Sequence, residues 1–499
     1  MATPTLVNPP TIIDSAESTA NWGGDSFSLE PDIKVAGSNS VACVQTNSGA
    51  NDVYVSGSWD FSADETLRLW FNISYVGNLA ASNKVQVFLH DGTNTAYWTV
   101  PKGETYAGGW LQAVIFTGNT PTSGTVNKSN ITQIGMRFNT ASKPRNVPAN
   151  AWFDQWAYGD GYAVTGGSAV DPITPEDIAA VDKVSAYGIV SEVDGAIFLA
   201  GELLIGNGST TTYYEDIGGV LVFKDLPVDT ILYRIVGQGS GCNINIEGGV
   251  LTAAGNQDFD FDMDDGDLAS FSMIGKQISK ANACYFKSGQ SIQNNVFDGC
   301  GRVTPGLSTF KFNTLTNYDG TGGAILFPSD DSNISDLSFI NNSFGVEYGS
   351  TSDASSPSFD AFTFDDVSGK YDVNNTSGSS VTIAAVNGSN PNSYNPAGDT
   401  VTFQNSKIFK FNIKPSQTGY EWRLYSVTAL GSLSGASELD GEESASQDNQ
   451  TYSYNYSADQ PIAVQIIDHS QEYEEAIEYY TLTENNQEVN IYLEVETNV

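Results

Sequence analysis

The 499-residue chain carries 21 Lys and Arg against 59 Asp and Glu, a formal net charge of −38 at pH 7. Such a field repels phosphate backbones and anionic lipid, which argues against nucleic acid and membrane insertion and leaves basic or neutral protein surfaces, divalent cations and uncharged glycans open. Gly, Asn, Ser and Thr separate short aromatic and β-branched runs, and long 3.6-residue periodicity is missing, so the composition predicts a mainly β protein of about three domains.

The opening MATPTLVNPPTIID has neither a basic start nor an apolar h-region, and no later stretch reaches about 18 apolar residues. The expectation is synthesis in the cytosol with no signal peptide or transmembrane segment. Residues 1–160 read as one sandwich of short alternating strands, among them Thr66–Ile73, 84–89, Leu111–Phe116 and 131–138, separated by Gly/Asn/Ser turns. Trp22 with Gly23 and Gly24, the strand around Trp70, and the closing WFDQWAYGDG at 152–161 resemble the jelly-roll modules that accompany carbohydrate-active proteins. Trp98 and Trp110 flank the turn 101–109 and are the candidate glycan-stacking platform; burial in the sandwich core is the favoured reading of both.

Residues 161–183 form a linker with a short helix: Thr174 stands as N-cap, Pro175 at the first helical position, and Glu176 and Asp177 in the first turn near the positive dipole end. From 184 to 404 the chain reads as coil after coil, through 196–205, Val220–Phe223, 232–236, 271–274, 324–327 and 380–386. An apolar residue, two spacers, an Asn, one spacer and a second apolar residue recur three times, as Ile292/Asn295/Phe297, Phe310/Asn313/Leu315 and Phe339/Asn342/Phe344. This is the mark of a parallel β-helix of irregular coils, with the three Asn expected at equivalent positions, because a polar side chain inside a coil must bond to its neighbour.

Within this region DFDFDMDDGD places Asp258, Asp260, Asp262 and Asp264 on one strand face and Phe259, Phe261 and Met263 on the other. A solvated outer face is the favoured reading, with Ca²⁺ bound by the four carboxylates as the alternative and no cofactor otherwise expected. The EF-hand template fails, because its Gly and Glu positions counted from Asp260 are Asp265 and Phe271. Cys43, Cys242, Cys284 and Cys300 are widely spaced and expected as free thiols, Cys284 and Cys300 being about one coil length apart.

The segments NVFDGCGRVTPG at 295–306, SFINNSFGVEYG at 338–349 and YDVNNTSGSSVTI at 371–383 resemble the β-helical region of virion structural proteins from tailed bacteriophages, marine ones in particular. The resemblance implies a right-handed parallel β-helix, a homotrimer, and other capsid or tail proteins as partners, with host cell-surface glycans as further candidates. Residues 405–499 change character again and read as a C-terminal Ig-like β-sandwich of about seven strands without a cysteine pair.

No catalytic residue stands out. Asp330/Asp331, Asp365/Asp366 and Glu347 could pair for glycoside cleavage, but pairs arise by chance among 59 acids. His90 and His469 both lie beside turns, and no nucleophile elbow or phosphate-binding loop is present. The chain is therefore expected to be a non-enzymatic surface protein of the virion, either a spike or fibre component or a capsid decoration. A polysaccharide depolymerase and a glycan-binding module are the alternatives.

Overall fold

The computed structural model describes residues 2–495 apart from 25–26, 81, 83, 101–108, 145–148, 226–232, 256–258, 353–356, 366, 417, 456–458, 471 and 484–485. The protein is mainly β, with one α-helix among the described residues. No helix among them is long and apolar enough to cross a membrane. Contacts divide the chain into two compact units, residues 1–309 with 316–318, and residues 310–315 with 319–499.

The first unit begins with two antiparallel sheets. Thr66–Ile73, Leu111–Phe116, Ala151–Tyr158, Ser40–Cys43, Phe27–Glu30 and Thr11–Asp14 make one. Gly49–Trp59, Val85–His90, Thr95–Thr99, Ile131–Thr140, Ser123–Gly124 and Trp22–Gly23 make the other. Alternation along the strands turns Val53, Val55, Leu67, Leu69, Phe71, Val85, Val87, Phe138 and Phe153 into one buried cluster shared by both sheets, with Trp22 and Trp156 at 4.7 Å between ring centroids. The strand Gly161–Thr165 then pairs antiparallel with Thr5–Val7 and parallel with Glu202–Gly208, tying the chain's start to the parallel strands beyond residue 200.

The helix Pro175–Ser185 starts where the sequence places it. Thr174 Oγ1 accepts the Asp177 N–H, and the Asp177 carboxylate accepts the Thr174 N–H, a capping box that satisfies two otherwise orphaned donors. Its far end is held by Asp182, buried, whose carboxylate accepts the N–H groups of Gly188, Ile189 and Val190 and the Tyr162 hydroxyl.

Beyond the helix Val190–Val193 pairs antiparallel with Ala196–Leu199, and from there to Arg302–Thr304 the strands pair in parallel with the strand three further along the chain, so three sheets grow together. Glu202–Gly208, Arg234–Gly239, Phe259–Asp262, Ala281–Tyr285 and Arg302–Thr304 follow one another in the first. Thr212–Ile217, Cys242–Glu247, Ser270–Ile274 and Ser291–Gln293 follow in the second. Ala196–Leu199, Val220–Phe223, Val250–Ala253, Gln277–Ser279 and Val296–Asp298 follow in the third. Strands of three to seven residues bury only a few side chains each, so each turn of chain is stabilised through its neighbours.

The stretch 196–205 is two strands, broken at Ala200 and Gly201. A side chain at Gly201 would meet the Asp160 carbonyl and the Arg68 guanidinium at 2.3 and 2.4 Å, which is why a glycine stands there. The three marked Asn are all buried but do not occupy one position. Asn295 and Asn313 stand immediately before the strands Val296–Asp298 and Thr314–Thr316, whereas Asn342 comes after the strand Ser338–Ile340. The motif marks corners where an inward amide meets backbone polar groups, so it recurs at two different corners.

In the second unit Ile325–Leu326, Phe344–Tyr348 and Tyr371–Asn375 pair in parallel, as do Ser358–Asp360, Val381–Val386 and the start of Val401–Lys414. That last strand is 14 residues long and runs across residue 404. Its second half pairs with Asn449–Asn455 and Gln487–Tyr492. Facing it, Ser437–Glu442, Glu421–Ser426, Gln460–Ile467 and Ala476–Leu482 form an antiparallel sheet, which makes seven described strands in this terminal region. Phe409, Phe411, Trp422, Leu424, Ile462, Val464 and Ile491 fill the space between them.

Candidate functional site

A polar cavity of about 550 Å³ opens in the first unit where Gly161–Thr165 meets Glu202–Gly208. Its walls carry three carboxylates from three separate segments: Glu65, at the start of the strand Thr66–Ile73; Asp160, in the turn between Ala151–Tyr158 and Gly161–Thr165; and Glu202. Pro9, Pro10 and Tyr158 supply apolar surface, and Asn207 and Gln238 supply amides.

The turn Gly159-Asp160-Gly161 is forced by sterics. Gly159 has φ of 140° with Pro10 packed against it, and a side chain at Gly161 would sit 1.9 Å from the Glu202 carbonyl. Arg68, fully buried, lies beneath: Nε donates to the Gly159 carbonyl at 3.0 Å and Nη2 to the Asp160 carbonyl at 2.9 Å. With its backbone held this way, the Asp160 carboxylate accepts the Thr66 hydroxyl at 2.6 Å.

The electrostatics follow from burial and crowding. Partial burial pushes the Glu65 carboxyl above the ordinary range, and the Asp160 charge adds to this. Burial also raises Glu202; its ion pair with Arg234 opposes the rise, and Asp160 and Asp265 reinforce it. Two carboxyls that hold protons more tightly than usual, lining a cleft with a third acid, can act as donors as well as acceptors to hydroxyl-rich ligands. Sequence reasoning passed over this site. The GDG turn was legible as part of the closing 152–161 segment, but nothing local marks Glu65 or Glu202, which topology alone brings near it.

The residues singled out from sequence lie elsewhere. Trp98, 4% exposed, belongs to the sandwich core, and its indole N–H donates to the Asn119 carbonyl at 2.8 Å, so its faces are not open to a sugar. Trp110 is half-buried, and most of the turn joining the two lies outside the described residues. Asp258 also lies outside them. Asp260, Asp262 and Asp264 do face outward while Phe259, Phe261 and Met263 are buried. Asp260 accepts the Asn282 amide at 2.9 Å, Asp262 accepts the Asp264 N–H at 2.9 Å, and Lys287 approaches Asp267 at 3.1 Å. Amide, backbone and ammonium groups thus take up these carboxylates. Among the described residues no group of three or more His, Cys, Asp or Glu is arranged to hold a metal ion.

All four thiols are free and buried. Cys284 and Cys300 are neighbours, and the second thiol together with burial pushes the Cys284 thiol well up. His90 Nδ1 lies 2.9 Å from the Thr95 hydroxyl at the strand pair joining Val85–His90 to Thr95–Thr99, and His469 Nε2 lies 3.0 Å from Glu421 on an exposed surface. Comparison of the chain with protein-family models and with curated proteins yields no match.

Proposed function

We propose that the chain is a structural protein of a tailed-bacteriophage virion, displayed on the particle surface as a spike or fibre component or as a capsid decoration. In this reading residues 1–160 are a jelly-roll, 184–404 a right-handed parallel β-helix and 405–499 an Ig-like sandwich, and three copies assemble with other capsid or tail proteins. The observation that supports it is the set of parallel sheets in which, between Ala196 and Thr304, successive strands pair with the strand three further on. Such stacking gives a stiff element from short strands and suits a mechanical role. The resemblance of the segments at 295–306, 338–349 and 371–383 supplies the setting.

Peptide mass spectrometry of gradient-purified particles tests it: the chain should band with the capsid and tail proteins in stoichiometric amount, and its absence from the particle band refutes the assignment. Sedimentation equilibrium of the purified chain should give three times 53.3 kDa; a monomer refutes the trimer.

A second reading, host-glycan attachment or cleavage, is favoured by the cavity around Glu65, Asp160 and Glu202. Binding on a glycan array that is lost in Asp160→Asn, without release of reducing ends, marks attachment. Reducing-end release lost in Glu65→Gln or Glu202→Gln marks cleavage. Neither result leaves the structural role alone.

A further inference from the structure

The interior of the parallel-stranded region in the first unit holds an ion pair that neither a structural role nor glycan attachment requires. At successive corners a residue of positive φ, Gly218, Gly248, Gly275 and Asn294, turns the chain into the strands Val220–Phe223, Val250–Ala253, Gln277–Ser279 and Val296–Asp298. The residue after the turn at 294 is Asn295, which bonds the backbone one turn back. The residue after the turn at 275 is Lys276, whose side chain instead crosses two turns of chain. Its Nζ lies 2.6 Å from Asp216 Oδ2 and donates to the Gly219 carbonyl at 3.1 Å. The two side chains are 2% and 3% exposed. Leu221, Ile246, Leu251, Met273 and Ile278 surround them, Tyr214 is the titratable neighbour, and a void of about 10 Å³ lies among these residues.

We propose that Lys276 and Asp216 condense to an intramolecular isopeptide bond. A proton passes from the ammonium to Oδ2, leaving a neutral amine and a neutral acid. The Nζ lone pair attacks Cγ, the Cγ–Oδ2 bond breaks, and Oδ2 leaves as water with a second amine proton. One C–N bond forms, one C–O bond breaks, one water departs, and no oxidant or cofactor is needed.

Four features favour the step. A charged pair buried in aliphatic surroundings is costly, so its neutral form is close in energy, and burial pulls the Lys276 ammonium down despite the opposing Asp216 charge. Fixed reactants at contact distance raise effective concentration by many orders of magnitude. The Gly219 N–H, 3.1 Å from Asp216 Oδ1, polarises the oxygen that stays as the amide carbonyl. Finally, the void is about the size of one water, and exclusion of bulk solvent slows the reverse hydrolysis.

Intact mass of the full chain, unfolded in denaturant and reductant, tests the proposal. It should fall short of the sequence mass by one water, about 18 Da, and a digest should give one branched peptide containing Asp216 and Lys276. Lys276→Arg, which keeps the cation but removes the amine nucleophile, should show no loss. A wild-type mass equal to the sequence, linear peptides at both residues, or a water loss that persists in the Arg variant overturns it.

Discussion

Replacing Asn295 by Ala tests whether the stacked region depends on side-chain hydrogen bonds inside the coil. Asn295 is 1% exposed, its Oδ1 accepts the Lys276 N–H at 2.8 Å, and its Nδ2 donates to the Met273 carbonyl at 3.1 Å. Truncation strips a buried donor and a buried acceptor of these partners, at about 1–3 kcal/mol for each group left unsatisfied. A central expectation is about 3 kcal/mol, or about a hundredfold in a local opening equilibrium. A 499-residue chain of two units does not unfold in one step, so a single melting temperature would blur the effect. Tryptophan emission is also blind here, since all eight Trp fall at positions 22–156 or at 422. Amide hydrogen exchange read by mass spectrometry on peptides covering 270–298 resolves it. The expected result is about hundredfold faster exchange across both the Gln277–Ser279 and Val296–Asp298 strands, with peptides from 50–140 unchanged. Acceleration under about threefold, or confined to the mutated residue, would refute the claim that neighbouring turns hold each other through this amide.

Arg68→Met removes two charge-assisted hydrogen bonds to the Gly159 and Asp160 carbonyls, and should cost the N-terminal sheets about 2–4 kcal/mol by denaturant unfolding followed through Trp70 and Trp156; a change below about 0.5 kcal/mol contradicts the role given to this guanidinium. Because burial and Asp160 raise the Glu65 pKa in the folded chain, folding retains a proton that the unfolded chain has released. Glu65 thus favours the fold fully below its unfolded pKa, and this contribution is lost as pH rises from the ordinary glutamate range through the folded value. Glu65→Gln should flatten that part of the stability–pH curve, and an identical slope in both proteins counts against the shift. The four buried thiols, with Cys242 pushed up to about 12 by burial, should resist an aromatic disulfide reagent in the native chain and all react in guanidinium; rapid reaction of any one in the native chain contradicts its burial.

What was legible from the residues was set by local chemistry. The N-cap at Thr174 with Pro175 after it and the alternation of Phe259, Phe261 and Met263 with Asp260 and Asp262 each depend on neighbours a few positions away, and both stand as read. The cavity carboxylates were not legible, because Glu65, Asp160 and Glu202 converge only after the sheets form, and no spacing rule connects positions so far apart. The Asn motif lies between these cases. It fell beside strand ends but treated one side chain as the rule for one place.

The backbone shows what the rule is. Residues of positive φ at Gly275, Asn294, Phe312 and Asp336 are each followed by a buried residue: Lys276, Asn295, Asn313 and Leu337. Lys280, Gly299, Asn317 and Asn341 are followed likewise by Ala281, Cys300, Tyr318 and Asn342. What recurs is the left-handed turn that swings the next side chain inward, and several side chains then meet the demand at that point. The Cys300 thiol lies 3.3 Å from the Ile278 carbonyl, and Asn342 Nδ2 donates to the Leu315 carbonyl at 2.9 Å, each carbonyl lying at the centre of a three-residue strand. A weak sulfur donor and a strong amide thus do the same task, and where the corner residue is apolar, as at Leu337, its inward side chain adds to the core. A search for Asn therefore finds only those corners solved by an amide, and the recurring physical quantity, a backbone torsion that costs about 1–2 kcal/mol outside glycine, leaves only a faint trace in residue type.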